Sequence, residues 1–169
     1  MAIRMRDYHW AKDFESVRGF LTDIFDIRKA YTNWLPSELE NLKFGPGGTQ
    51  YRDEEDEYLK IWETFDEDSQ TALRIIAATY AKPSGRCWLS IHPNITSVAR
   101  EIVLWMQNRV KEMKGDEDEE MKMTFVVDDD DEELILLLSD LGFQKGEIEG
   151  DKQVRPIDLP VPTYSLPEG

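Results

Sequence analysis

Cysteine occurs once in this chain, at Cys87, and histidine only at His9 and His92. A single thiol cannot close an internal disulfide, which fits a reducing compartment. With so few soft ligands, a zinc site has little to be built from. Basic residues are also scarce: 20 Lys and Arg stand against 35 Asp and Glu, a formal charge of −15. That balance argues against nucleic acid, whose phosphates require a basic footprint, and against an anionic membrane surface. No apolar run reaches the roughly 18 residues that cross a bilayer. The opening Met1-Ala2-Ile3-Arg4-Met5-Arg6 has no apolar signal core behind it. These absences predict a cytoplasmic protein with no metal, no nucleic acid and no membrane partner. Glycine, too, is missing from a long stretch, with none between Arg86 and Lys114.

What the chain does have is apolar mass. Hydrophobic residues make up 40% of its 169 positions and five are tryptophan, enough for one folded domain with a substantial core. The acid gathers in runs at 53–57, 116–120 and 128–133. None alternates ligands about a central glycine as a calcium loop does, so solvated loops and a helix start are expected there.

Along the chain, Ile3 and Met5 alternate with Arg4 and Arg6, predicting a short half-buried strand. Trp10, Phe14, Val17, Leu21 and Ile24 recur at helical spacing and predict an amphipathic helix over 9–27. A short second helix is expected after Pro36, with Ser37 and Glu40 as its capping box. Strands follow at 58–63, 71–80 and 87–92, joined by short turns that imply an antiparallel meander. The spacing of Val98, Ile102, Met106 and Val110 predicts a helix over 96–114, and 121–127 alternates as a strand. A helix between two strands of one sheet makes those strands parallel. Asp130 or Asp131 should cap a further helix that stops at Gly142, and 143–148 with 153–159 predict a last hairpin. Cys87 reads as a buried structural thiol and the tryptophans mainly as core.

The resulting order is β-α-α-β-β-β-α-β-α-β-β. Two segments in it carry a resemblance: Trp88-Leu89-Ser90-Ile91 running into His92-Pro93, and the helix ending in Asp140-Leu141-Gly142-Phe143. The first is similar to the hydrophobic strand and x-P that lead into the cofactor loop of the GNAT acetyltransferase superfamily, the second to that family's late L-G-F. The resemblance spans nearly the whole chain. Tyr31-Thr32-Asn33-Trp34 and Leu166-Pro167-Glu168-Gly169 further resemble the amino-terminal half of tandem GNAT proteins, where a comparable L-P-x-G leads into a second domain.

The resemblance implies an α/β (α+β) GNAT fold, a mixed, mostly antiparallel sheet with helices on both faces, over residues 1–159. Residues 160–169, rich in proline, are expected to link to a second domain of the same polypeptide. It implies acetyl-CoA as cofactor and a small-molecule amine as acceptor. In the family the pantetheine arm slots between the strand before the loop and its parallel neighbour, and the diphosphate rests on amides at the next helix start. Those roles fall here on Ile91, His92, Thr96, Ser97 and Arg100. Tyr31, Trp34 and Tyr51 fall at the acceptor cleft, and Glu63 is the candidate general base.

Two departures bear on chemistry. The stretch Asn94-Ile95-Thr96-Ser97-Val98-Ala99-Arg100-Glu101 lacks the glycines that let backbone approach phosphate, and Glu101 sets a carboxylate nearby. The tyrosine that many family members place four residues before the glycine of L-G-F is Leu138 here, and leucine cannot protonate a thiolate. The expected function is therefore the degenerate, weakly or non-catalytic amino-terminal half of a tandem N-acetyltransferase. It would pair with a second GNAT domain or a homo-oligomer partner. The alternative is a non-enzymatic binding or scaffold module that kept the fold and lost CoA binding.

Overall fold

The computed structural model of the chain describes residues 2–28, 34–46, 55–66, 68, 71–82, 84–113 and 122–146. The second arm of the expected C-terminal hairpin (153–159), the linker at 160–169 and the acid run at 116–120 lie outside them, as do Tyr31 and Tyr51; of the hairpin's first arm, 143–148, residues 143–146 are described and form no strand. In order come β1 (Ala2–His9), α1 (Trp10–Arg28), α2 (Pro36–Phe44), β2 (Glu55–Asp66), β3 (Thr71–Ala81) and β4 (Arg86–Ile91). A 3-10 turn (Thr96–Val98), α3 (Ala99–Met113), β5 (Thr124–Phe125) and α4 (Glu132–Asp140) follow.

The strands form one mixed sheet in the order β1-β2-β3-β4-β5. The first four pair antiparallel in sequence, and β5 joins β4 parallel across the α3 crossover. The sheet separates two apolar layers. On one face Trp10, Phe14, Val17, Leu21 and Ile24 of α1, with Leu39 of α2, pack on Leu59, Ile61, Ala78, Tyr80 and Trp88. On the other, Ile102, Val103, Met106 and Val110 of α3 and Leu134 and Leu138 of α4 pack on Trp62, Ala77, Cys87 and Leu89. Covered on both faces, β3 buries six consecutive residues, Ile76 to Ala81, the near-continuous burial of a central strand.

Several expectations are corrected. β1 forms, but its apolar residues face outward: Ile3 and Met5 are 40% and 43% exposed. The opposite side carries Arg4 and Arg6, held by Glu63 of β2 and Asp13 of α1. Ion pairing, not apolar burial, decided which face of this edge strand turned inward. His9 ends β1 instead of opening α1. α2 is capped two residues earlier than the Ser37–Glu40 pattern suggests: Glu38 Oε2 accepts from Leu35 N at 2.9 Å and Glu38 N donates to Leu35 O, with Pro36 at N1. β2 is longer than expected, drawing residues 55–57 of the acid run into the strand. His92 lies just beyond β4. α3 proper starts at Ala99, after the 3-10 turn.

β5 is shorter than the alternation at 121–127 implies. Met123, Phe125 and Val127 still pack against the α3–α4 core, so side-chain alternation is kept while pairing is not. Asp131 is the α4 cap, its Oδ1 accepting from Leu134 N at 3.4 Å. α4 stops at Gly142, whose φ of 88° only glycine adopts without strain.

Candidate functional site

The site follows from the short β5. β4 and β5 pair at Arg86↔Thr124 and Cys87↔Phe125, and beyond these positions no pairing between them occurs among the described residues. Along β4 the backbone alternates sides. Arg86 O accepts from Lys82 N and His92 N donates to Ile76 O, both towards β3, while Gly85 O accepts from Thr124 N of β5. By that alternation Leu89 and Ile91 turn their N–H and C=O groups to the open side.

A cavity of about 350 Å³ occupies this opening. Its walls are Leu89 and Ile91 of β4, Ile24 of α1, Ala99 of α3, and Leu134, Leu136 and Leu137 of α4. Its polar groups are few. Arg28, the last residue of α1, donates from Nη1 to Asp131 Oδ2 at 2.6 Å, tying α1 to the cap of α4. Arg100 reaches Asp140 only loosely, at 3.7 Å. Ser90, 3% exposed, also lines the space.

A second, more open groove of about 720 Å³ lies on the other side of the last turns of α1. Its lining includes Arg6, Glu63, Asp23, Asp26, Arg74 and His92. A bulge in β3 shapes it. Trp62 pairs with Ala77 and Glu63 with Ile75, leaving Ile76 as the extra residue, and the Ile76 carbonyl is the one that accepts from His92 N at 2.8 Å. His92 Nδ1 accepts from Asn94 N at 3.3 Å, so the neutral ring carries its proton on Nε2. Burial, and then the charge of Arg74, hold its pKa below the ordinary value against an opposing pull from Asp23.

Glu63 is 2% exposed and both its oxygens are engaged. Oε1 accepts from Arg4 Nε at 2.8 Å and Oε2 from Arg6 Nε at 3.0 Å. Arg6 also forks onto Asp13, with Nη1–Oδ2 at 2.8 Å and Nη2–Oδ1 at 2.9 Å. A carboxylate held this way is a hub for two guanidinium groups, with little lone-pair capacity left for a substrate proton.

The other expected residues are dispersed. Ile91 and Arg100 line the first cavity and His92 the second. Thr96 and Ser97 sit in the 3-10 turn, and Ser97 lines neither. Val98 and Ala99 are buried at 8% each and Ile102 completely, so side chains fill the start of α3. Trp34 is fully buried and lines neither cavity; its ring stacks on Tyr80 at 6.4 Å, and Tyr80 stacks on Trp88 at 5.6 Å. Leu138 belongs to the core under α4. Among the described residues no group of three or more His, Cys, Asp or Glu is placed to hold a metal ion, and no helix is long and apolar enough to cross a membrane.

Sequence reasoning foresaw Asp131 as a helix cap but passed over Ser90 and Arg28 at the cavity. The one available signal was a serine inside the otherwise apolar run Trp88-Leu89-Ser90-Ile91. No family model, no curated protein and no solved structure matches the chain.

Proposed function

We propose that this chain is a GNAT-type domain that holds the arm of an acyl-CoA and performs little or no transfer on it, as the amino-terminal half of a tandem N-acetyltransferase would. The observation that carries the reading is the end of β4–β5 pairing after Cys87 and Phe125, with a cavity along Leu89 to Ile91. An exposed strand edge beside apolar walls suits a linear ligand whose amides complete the missing hydrogen bonds while its methylenes meet leucine. Acetyl-pantetheine has that form.

The chemistry of transfer has weaker support. A neutral amine attacks the thioester carbonyl, the carbon–sulfur bond breaks, and the departing thiolate takes a proton. Leu138 at the expected acid position has none to give. Glu63, the expected base, is committed to Arg4 and Arg6. The two cavities flank α1 and abut at Ile91 and His92, so a donor and an acceptor would still be neighbours. In the tandem reading, a second domain or a second copy completes the acceptor side.

A calorimetric titration with acetyl-CoA, run beside an assay of thiol release with simple amines, tests this. Saturable heat at one ligand per chain, with release no faster than the uncatalysed reaction, is expected. Rapid release would overturn the non-catalytic part of the reading. An absence of heat would select the alternative, a scaffold module that kept the fold and lost the cofactor. That alternative is favoured by the side-chain-filled start of α3 at Val98 and Ala99.

A further inference from the structure

The cavity beside β4 holds a polar atom that the described residues leave unsatisfied. Ser90 Oγ is buried and has no hydrogen-bond partner. Its strand position fixes where it points. Ser90 pairs with Ala78, which belongs to the α1 face of the sheet, and it shares the cavity with Ile24 and Arg28 of α1. Burying a hydroxyl with nothing to bond is unfavourable, and the buried Oγ belongs to a residue that lines the cavity. Leu89 and Ile91, on either side, offer backbone groups to the same opening.

We infer that Ser90 Oγ donates a hydrogen bond to a carbonyl oxygen of the bound ligand and thereby sets which thioester arm the cavity accepts. This rests on the acyl-CoA reading above. The carbonyl could be that of the acyl thioester or of an amide within the arm; the chemistry recognised is the same. Thr79 provides the internal control. It is fully buried with Oγ1 likewise unpartnered, yet lines neither cavity.

The experiment compares wild type, Ser90→Ala and Thr79→Val by thermal denaturation without ligand and by calorimetry with acetyl-CoA and with free CoA. Both substitutions remove an unsatisfied hydroxyl, so both should raise the ligand-free thermal midpoint. Ser90→Ala alone should weaken binding, by about three- to tenfold for one lost hydrogen bond. A loss confined to acetyl-CoA assigns the thioester carbonyl, and an equal loss with free CoA assigns an arm amide. If wild type binds and Ser90→Ala binds as well, the Ser90 assignment is wrong while the acyl-CoA reading stands. A lowered ligand-free midpoint in Ser90→Ala also overturns it, because the hydroxyl is then already satisfied. If wild type binds neither thioester nor thiol, the acyl-CoA reading itself fails and the assignment falls with it.

Discussion

Arg6 of β1 and Asp13 of α1 meet as a two-point fork, Nη1 to Oδ2 at 2.8 Å and Nη2 to Oδ1 at 2.9 Å, while Arg6 Nε reaches Glu63 Oε2 at 3.0 Å. One guanidinium thus joins the edge strand, the adjacent strand and the first helix. Arg6→Leu takes the guanidinium from Asp13, which keeps only the His9 N–H, and leaves the almost fully buried Glu63 with Arg4 alone. We expect it to cost about 2–3 kcal/mol, below the roughly 3–5 of a fully buried pair because Arg6 remains partly exposed. Urea denaturation at pH 7 measures it; a change within about 0.5 kcal/mol, the scatter of ordinary surface substitutions, would contradict the hub.

The same fork carries a pH signature. Burial alone would raise the Asp13 carboxyl, but hydrogen bonds from Arg6 and from the His9 N–H outweigh it and hold the group below its ordinary 3.8. A depressed acid contributes stability that is complete above the unfolded-state value and disappears as pH falls through the folded one. Unfolding curves should therefore show this contribution intact from pH 7 to 5 and lost below pH 3.8. Asp13→Asn should show a shallower acid limb than wild type; an identical limb would refute the assignment.

Trp34 tests whether the second helix contributes to a cleft or to the core. Its ring is fully buried against Tyr80. Trp34→Ala should cost about 3–5 kcal/mol, as large-to-small aromatic changes in cores do. An acceptor-lining tryptophan would instead leave the urea midpoint nearly unchanged and alter only ligand affinity.

Gly142 ends α4 at φ 88°, and an added Cβ there would meet nothing within 4 Å. The cost of Gly142→Ala is thus purely backbone strain, about 1–2 kcal/mol. A neutral result would mean that the turn relaxes to negative φ.

The sequence and the structure agree where one local pattern decides the outcome. α1 lies where the spacing of Trp10, Phe14, Val17, Leu21 and Ile24 puts it, and the meander from β2 to β4 follows from short turns between apolar runs. They part where a distant partner decides. The alternation of Ile3 and Met5 with Arg4 and Arg6 was visible, but which set faces inward depends on Glu63, some sixty residues away. The Ser37–Glu40 pattern lost to Glu38, whose carboxylate also accepts from Trp88 Nε1 at 3.2 Å. The opening along β4 was less legible still. It arises from two strands diverging, and no residue type announces divergence. Ser90 became informative only once its strand face and its missing partner were known.

The central claim is that a ligand arm lies along the open edge of β4. The most direct measurement is a two-dimensional amide and methyl NMR titration of the chain with acetyl-CoA. The account predicts saturable shifts centred on the amides of Leu89 and Ile91 and on the methyls of Ile24, Leu134 and Leu137, the residues around the cavity. Shifts centred elsewhere, or none at ligand concentrations that saturate the calorimetric signal, would contradict it.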